Sequence, residues 1–119
     1  MIIAIPTDHN HLDTTVCISF GRAPYFLIYN SSVDSYDFIE NPARQSQGGA
    51  GVKAAQTLVD AHATVLITPR CGENAAEIFN AADVKIYRAS GQSVAENITS
   101  FKNDQLKILE EIHAGFHGH

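Results

Sequence analysis

The chain has few cysteines and few basic residues. Among its 119 residues there is no tryptophan, and the two cysteines, Cys17 and Cys71, lie far apart and outside any CxxC motif. Such spacing predicts free thiols in a cytoplasmic protein. Only 8 residues are lysine or arginine against 13 aspartates and glutamates, so the formal net charge is −5. An acidic chain of this kind is poorly suited to bind a nucleic-acid backbone.

Long apolar runs and repeats are also missing. No run approaches the roughly 20 residues of a membrane-spanning helix, and residues 1–6 lack the basic start of a signal peptide. We therefore expect no membrane partner. Without repeats or linkers, residues 1–112 are predicted to form a single domain. Residues 113–119 contain three histidines and two glycines, which is typical of a flexible tail that binds divalent metals adventitiously.

Five short apolar or β-branched runs predict strands. They cover residues 2–5 (ended by Pro6), 25–29, 36–40, 64–68 and 84–87. Apolar residues at helical spacing predict three helices, which start near Gly51, near Ala75 and after Ser93, where Glu96 completes a capping box. Leu106, Leu109 and Ile112 suggest one more short helix.

The order of these elements predicts the topology. The short turn at residues 30–32 favours an antiparallel hairpin between the second and third strands. The later strands follow helices, and such crossovers are right-handed and join parallel strands. The sequence therefore predicts an α/β fold of ribonuclease-H-like topology, with a five-stranded mixed sheet in the order 3-2-1-4-5 and helices on its faces.

In this topology the distinctive loops meet at one edge of the sheet. The carboxyl ends of the first, third, fourth and fifth strands lie there together with the start of the second, and open α/β sheets bind ligands at such an edge. Five loop segments fall there: residues 8–13, 17–22, 46–51, 70–74 and 90–92.

A run of small residues, Gly48, Gly49, Ala50 and Gly51, opens the first helix. Backbone N–H groups at a helix N-terminus attract anions, and Arg22 could supply a positive fork to the same anion. The alternatives are a loop that only needs a positive φ, and an arginine that pairs with a nearby carboxylate.

Two cysteines and two histidines are candidate metal ligands. Cys71 and Gly72 precede the second helix, whose dipole would favour a thiolate that could hold a soft metal. A buried, inert thiol is the alternative, and both interpretations also apply to Cys17. His9 and His11 could ligate a metal from the first loop or could simply belong to a solvated polar loop.

Several stretches resemble the dinitrogenase iron–molybdenum cofactor biosynthesis family. They run in order over nearly the whole chain to about residue 109. They include Phe-Gly-Arg-Ala-Pro-Tyr-Phe at 20–26, Glu-Asn-Pro at 40–42, Gly-Gly-Ala-Gly-Val at 48–52, Gly-Glu-Asn-Ala at 72–75 and Val-Lys-Ile-Tyr-Arg-Ala at 84–89. The resemblance implies a ribonuclease-H-like fold. Members bind or carry the iron–molybdenum cofactor or its precursors, and a related member, the orange protein, holds a molybdenum–copper sulfide cluster.

The resemblance thus implies a non-catalytic carrier of an anionic, molybdenum-containing metal–sulfur cluster, with a protein partner that receives it. Arg22 and the glycine run match family positions. Two positions depart from the family, because many members have histidines where this chain has Ser19 and Gly49. Cys71 is the candidate substitute ligand.

Two other functions stay open. One is a regulatory or scaffold domain that has kept the fold and lost the ligand. The other is a ribonuclease-H-like, metal-dependent nuclease, which needs several carboxylates around two metal ions. Asp8, Asp13 and Glu73 are the acidic residues on the predicted edge that could serve it.

Overall fold

Three strands come first and helices then alternate with strands along residues 1–109, the part of the chain that the computed structural model describes. The elements are β1 (Ile2–Thr7), β2 (Tyr25–Asn30), β3 (Ser35–Glu40), α1 (Ala50–Asp60), β4 (Val65–Thr68), α2 (Glu73–Ala81), β5 (Lys85–Arg88) and α3 (Val94–Lys102). This is the predicted order. The sheet order β3-β2-β1-β4-β5 is also confirmed. None of these helices is both long and apolar enough to cross a membrane.

The strand register brings the predicted loops to one edge. Strand β1 pairs antiparallel with β2, where Thr7 lies opposite Tyr25, and Tyr25 in turn lies opposite Glu40 of β3. Strand β4 runs parallel to both β1 and β5, and Thr68 lies opposite Arg88 at its end. Each helix starts at this same edge. We call its loops, residues 8–24, 41–49, 69–72 and 89–93, the rim.

Side chains alternate between two cores, one on each face of the sheet. Ala4 packs in a cluster with residues of α1 and α2, among them Leu58 and Phe79. Its neighbours Ile3 and Ile5 pack in a second cluster with residues of α3. This alternation is the period of two expected of a strand, and it places α1 and α2 on one face and α3 on the other.

Two local predictions are wrong. Pro6 does not end β1, which continues to Thr7. Within the parallel ladder to β4 only Ile3 and Ala4 of β1 are paired. Proline has no backbone N–H, but at position 6 no hydrogen bond to β4 is lost for that reason.

The second wrong prediction is the short helix after residue 104. Lys107 O accepts a hydrogen bond from the Arg88 backbone N–H (2.7 Å), and the Leu109 N–H donates to Ile86 O (2.9 Å). The segment thus covers the edge of β5 in an extended conformation. Ile112 and the histidine-rich residues 113–119 lie outside the described residues, and the single domain over 1–112 stays a prediction.

Candidate anion-binding rim

The three helix N-termini at the rim differ in how they are capped. Ser93 caps α3, because its hydroxyl accepts a hydrogen bond from the Glu96 N–H. At α1 and α2 the N-cap residues are Gly49 and Gly72, and within the described chain no side chain accepts from their first turns. The first turn of α1 also contains no acidic residue. The positive end of α1 is therefore the one most open to an anion.

The predicted glycine run has two roles at this helix start. Gly48 and Gly49 are exposed, and Gly49 has a left-handed φ of 67°, which favours glycine. The need for a positive φ is thus confirmed. Ala50 is buried, and a β-carbon on Gly51 would lie 3.8 Å from that of Ala75. The starts of α1 and α2 therefore lie side by side.

Gly21 allows the loop before β2 to lie against α1. A β-carbon at Gly21 would lie only 3.0 Å from the Gly51 backbone nitrogen and 3.1 Å from its Cα. Only glycine fits this approach without movement of one backbone or the other. Its neighbour Arg22 is consequently held beside the uncapped end of α1, so Arg22 and the glycine run are brought together as predicted.

Arg22 contacts backbone carbonyls rather than a carboxylate. Its Nη1 donates to Arg44 O (3.3 Å) and, more closely, to Ser46 O. Among residues 1–109 no carboxylate pairs with Arg22, so the predicted alternative is not found in this part of the chain. The guanidinium carries five N–H donors and is exposed. Arg22 can therefore hold the loop before Gly48 while other N–H groups face solvent.

All four arginines of this acidic chain lie in the rim or directly next to it. Arg22, Arg44 and Arg70 are in rim loops, and Arg88 is the last residue of β5. All are exposed. Within residues 1–109 the one ion pair joins Lys102 to Asp34, at 3.8 Å, away from the rim. Within the rim loops the three arginines outnumber the two aspartates, Asp8 and Asp13, by one, in a molecule with a net charge of −5. The edge is thus less acidic than the rest of the molecule, and its exposed guanidinium groups can attract anions.

Buried polar side chains hold the rim loops in place, and the sequence did not predict this feature. Five polar residues are buried in the described chain: Thr7, Thr14, Asn41, Thr68 and Asn97. Thr7 and Thr68 end their strands in the same way, since each hydroxyl donates to the carbonyl two residues later, at His9 (2.8 Å) and Arg70 (2.9 Å). Threonine at the end of a buried strand, just before a turn, is the signal that could have indicated these bonds.

Both cysteines are buried thiols. Cys71 is 1% exposed and packs in the α1–α2 core, and burial raises its pKa from 9.0 to about 11. This direction is opposite to that expected of a helix N-terminus, because loss of solvation disfavours the thiolate. Burial likewise raises the pKa of Cys17, whose Sγ lies 3.6 Å from Ser19 O. Both cysteines therefore fit the alternative of a buried, inert thiol better than that of a metal ligand open to solvent.

The two loop histidines lie together at the surface. His9 and His11 are exposed, and their rings stack with centroids 5.5 Å apart. The loop between them and β2 bonds to the α3 side of the rim, where the Val16 N–H donates to Gln92 O (2.8 Å). Across residues 1–109, no three His, Cys, Asp or Glu side chains lie close enough to hold one metal ion. The four predicted metal ligands therefore do not form a three-ligand set.

Fold and rim together define a class: a small α/β protein with an arginine-bearing loop edge at the carboxyl ends of its parallel strands. The model of the dinitrogenase iron-molybdenum cofactor family matches residues 1–104. The chain belongs to this family.

Three relatives illustrate the likeness. An uncharacterised protein of Methanocaldococcus jannaschii is 29% identical in an alignment of 113 residues that covers 92% of each chain. The apo form of the orange protein from Desulfovibrio gigas has a TM-score of 0.86 at 28% identity, covering 92% of each chain. A NifB-like protein of the DUF35 family from Thermotoga has a TM-score of 0.82 at 35% identity, covering 93% of this chain and 95% of that one.

Proposed function

We propose that the protein is a non-catalytic carrier that holds an anionic metal–sulfur cluster at the rim and delivers it to a partner protein. The cargo would be the iron–molybdenum cofactor, its precursor or a molybdenum–copper sulfide cluster. Membership of the cofactor family and the likeness to the orange protein support this class of cargo. We further infer a ribonuclease-H-like fold, to which the observed strand order corresponds, and a cytoplasmic location.

The observation that carries the proposal is the coincidence of charge and free donors. The four arginines and the two uncapped helix N-termini lie on one edge of an acidic chain. Sulfido clusters are large anions, and hydrogen bonds and positive charge are what a protein offers them.

Specific roles follow for the rim residues on the α1–α2 face. Backbone N–H groups of residues 49–51 and of Gly72 would donate to the anion, and Arg22 and Arg70 would balance its charge. Cys71 would coordinate a metal only after a local opening that exposes and deprotonates it, because it is 1% exposed and its pKa is about 11. His9 and His11 are exposed and would be the accessible nitrogen ligands.

A titration with tetrathiomolybdate, alone and with Cu(I), tests the proposal. The wild-type protein should bind stoichiometrically, seen as a shifted visible absorption band. Arg70→Gln and Lys85→Gln form a matched pair, since each removes one exposed positive charge, at the rim and at the opposite end of β5 respectively. Loss of one charge contact of roughly 1 kcal/mol should weaken binding about fivefold for the rim variant.

Binding should also weaken with salt, because exposed charges are screened. Lys85→Gln should keep the wild-type affinity within about twofold. An unchanged spectrum in the wild type would favour a regulatory or scaffold domain without a ligand. Equal losses in the two variants would mean that net charge, rather than the rim, governs binding.

A further inference from the structure

A buried asparagine and an exposed arginine hold two rim loops to each other. Asn41 is 2% exposed, and its Nδ2 donates to Gly21 O and to Ala23 O, both at 3.0 Å. These two carbonyls flank Arg22 in the sequence. Asn41 thereby fixes the backbone on both sides of the arginine.

The same two residues also order the second loop. Asn41 Oδ1 accepts from the Ala43 N–H (2.9 Å), and Arg22 Nη1 donates to Arg44 O (3.3 Å) and to Ser46 O. Each residue thus bonds to the backbone of the loop that carries the other. We call this arrangement the Asn41–Arg22 clasp.

The clasp lies beside the uncapped start of α1. One of the two carbonyls that Asn41 binds belongs to Gly21, whose added β-carbon would meet the Gly51 nitrogen at 3.0 Å. Asn41 cannot contact a ligand directly, because its side chain is buried. Its amide nitrogen already donates two hydrogen bonds and its amide oxygen accepts one. Any effect of Asn41 on binding must therefore pass through the loops.

We infer that Asn41 is a positioning residue that sets the anion affinity of the rim by holding Arg22 at the N-terminus of α1. This inference rests on the proposed function. Fixing a charged group before binding removes the cost of ordering it during binding. Loss of the clasp should therefore weaken anion binding even though Asn41 does not touch the anion.

The chain contains a matched control in Asn97. It is also buried (0% exposed), and it also makes two donor bonds and one acceptor bond, to Ser90 and Ser93. Asn97 lies in the capped helix α3 and holds the loop before it, on the other face of the sheet from α1 and α2. Asn97→Ser thus repeats the structural damage away from the proposed binding groups.

The experiment compares Asn41→Ser with Asn97→Ser. At position 41 serine can keep the bond to the Ala43 N–H two residues later while losing the two amide donors. At position 97 it loses all three bonds, because there the accepted N–H belongs to Ser90, seven residues earlier. Asn97→Ser should therefore lose at least as much thermal stability as Asn41→Ser. Only Asn41→Ser should weaken tetrathiomolybdate binding, by about tenfold, as expected for a charged hydrogen-bonding group that is no longer held in place. In an Arg22→Gln background, Asn41→Ser should have little further effect on affinity.

Amide hydrogen exchange of the ligand-free proteins separates failure of the inference from failure of the proposed function. Asn41→Ser should speed exchange at Arg44 and Ser46, and Asn97→Ser should speed it at Ser90 instead. If the wild type binds no anion while exchange changes as expected, the proposed function fails and the clasp stands as a structural element only. If the wild type binds but both variants weaken it equally, or the effects of Asn41 and Arg22 add fully, the positioning role is overturned. If Asn41→Ser fails to fold, Arg22→Lys replaces it in the test. This variant keeps the positive charge but loses the planar guanidinium, and it must weaken binding about as much as Arg22→Gln.

Discussion

The substitution Gly21→Ala tests the close approach of the Arg22 loop to α1. The new β-carbon would meet backbone atoms at 3.0, 3.1 and 3.3 Å, all of them in Ala50 or Gly51. Backbone atoms at a helix start cannot rotate away as a side chain can, so the strain falls in the usual overpacking range of about 1–3 kcal/mol. Because φ at Gly21 is not positive, alanine also restricts the unfolded chain, which returns about 0.4–1 kcal/mol.

The net expectation is a loss of about 0.5–2 kcal/mol in the free energy of unfolding. Urea denaturation followed by circular dichroism measures it as a lower midpoint, by about 0.3–1 M at ordinary urea m-values. Gly48→Ala is the control, since no atom of the described chain lies within 4 Å of its β-carbon and its φ is not positive. That variant should be slightly more stable than the wild type. If Gly21→Ala were as stable as Gly48→Ala, the reasoning about the loop and α1 would be refuted.

Three further outcomes follow from the helix starts and the buried thiol. Gly51→Ala should raise the free energy of unfolding by about 0.5–1 kcal/mol in urea denaturation, because its β-carbon meets that of Ala75 at an ordinary 3.8 Å; a loss would contradict the packing described. Ser93→Ala should lower it by about 1 kcal/mol through loss of the α3 cap, and an unchanged urea midpoint would speak against that cap. Burial raises the pKa of Cys71 from 9.0 to about 11, so the unfolded chain releases this proton first and stability should fall as pH rises through that window. Cys71→Ala should remove this part of the pH dependence. In the native protein, Cys71 should react with iodoacetamide at pH 8 far more slowly than in the unfolded chain, as measured by mass spectrometry. Fast labelling of the native protein would contradict the burial of Cys71.

The sheet could be predicted because its signals are local and mutually consistent. The turn at residues 30–32 dictates a hairpin, and the handedness of crossovers then leaves few positions for the later strands. The capping box at Ser93 likewise needs only a partner three residues away. The rim followed from the same topology, since strand directions alone decide which loops share an edge.

The failures arise where spacing is ambiguous or the partners are distant. Leu106 and Leu109 are three residues apart, which suits a helix, but in an extended segment that spacing sends them to opposite faces, and they pack in different cores. The Asn41 amide donates to carbonyls 18 and 20 residues away. Because every residue has a backbone carbonyl, the sequence does not indicate which ones accept these bonds. The burial of Cys71 depends on how α1 and α2 pack, which no local pattern reveals.

We propose that the rim binds an anionic cluster through its two uncapped helix starts and its arginines. Backbone amide chemical shifts followed by NMR during a tetrathiomolybdate titration show where the anion binds. The largest shifts should occur at residues 48–51, at Gly72 and Glu73 and at Arg22. Shifts concentrated at the opposite edge, around Val33 and Lys85, or shifts that Arg22→Gln leaves unchanged, would contradict it.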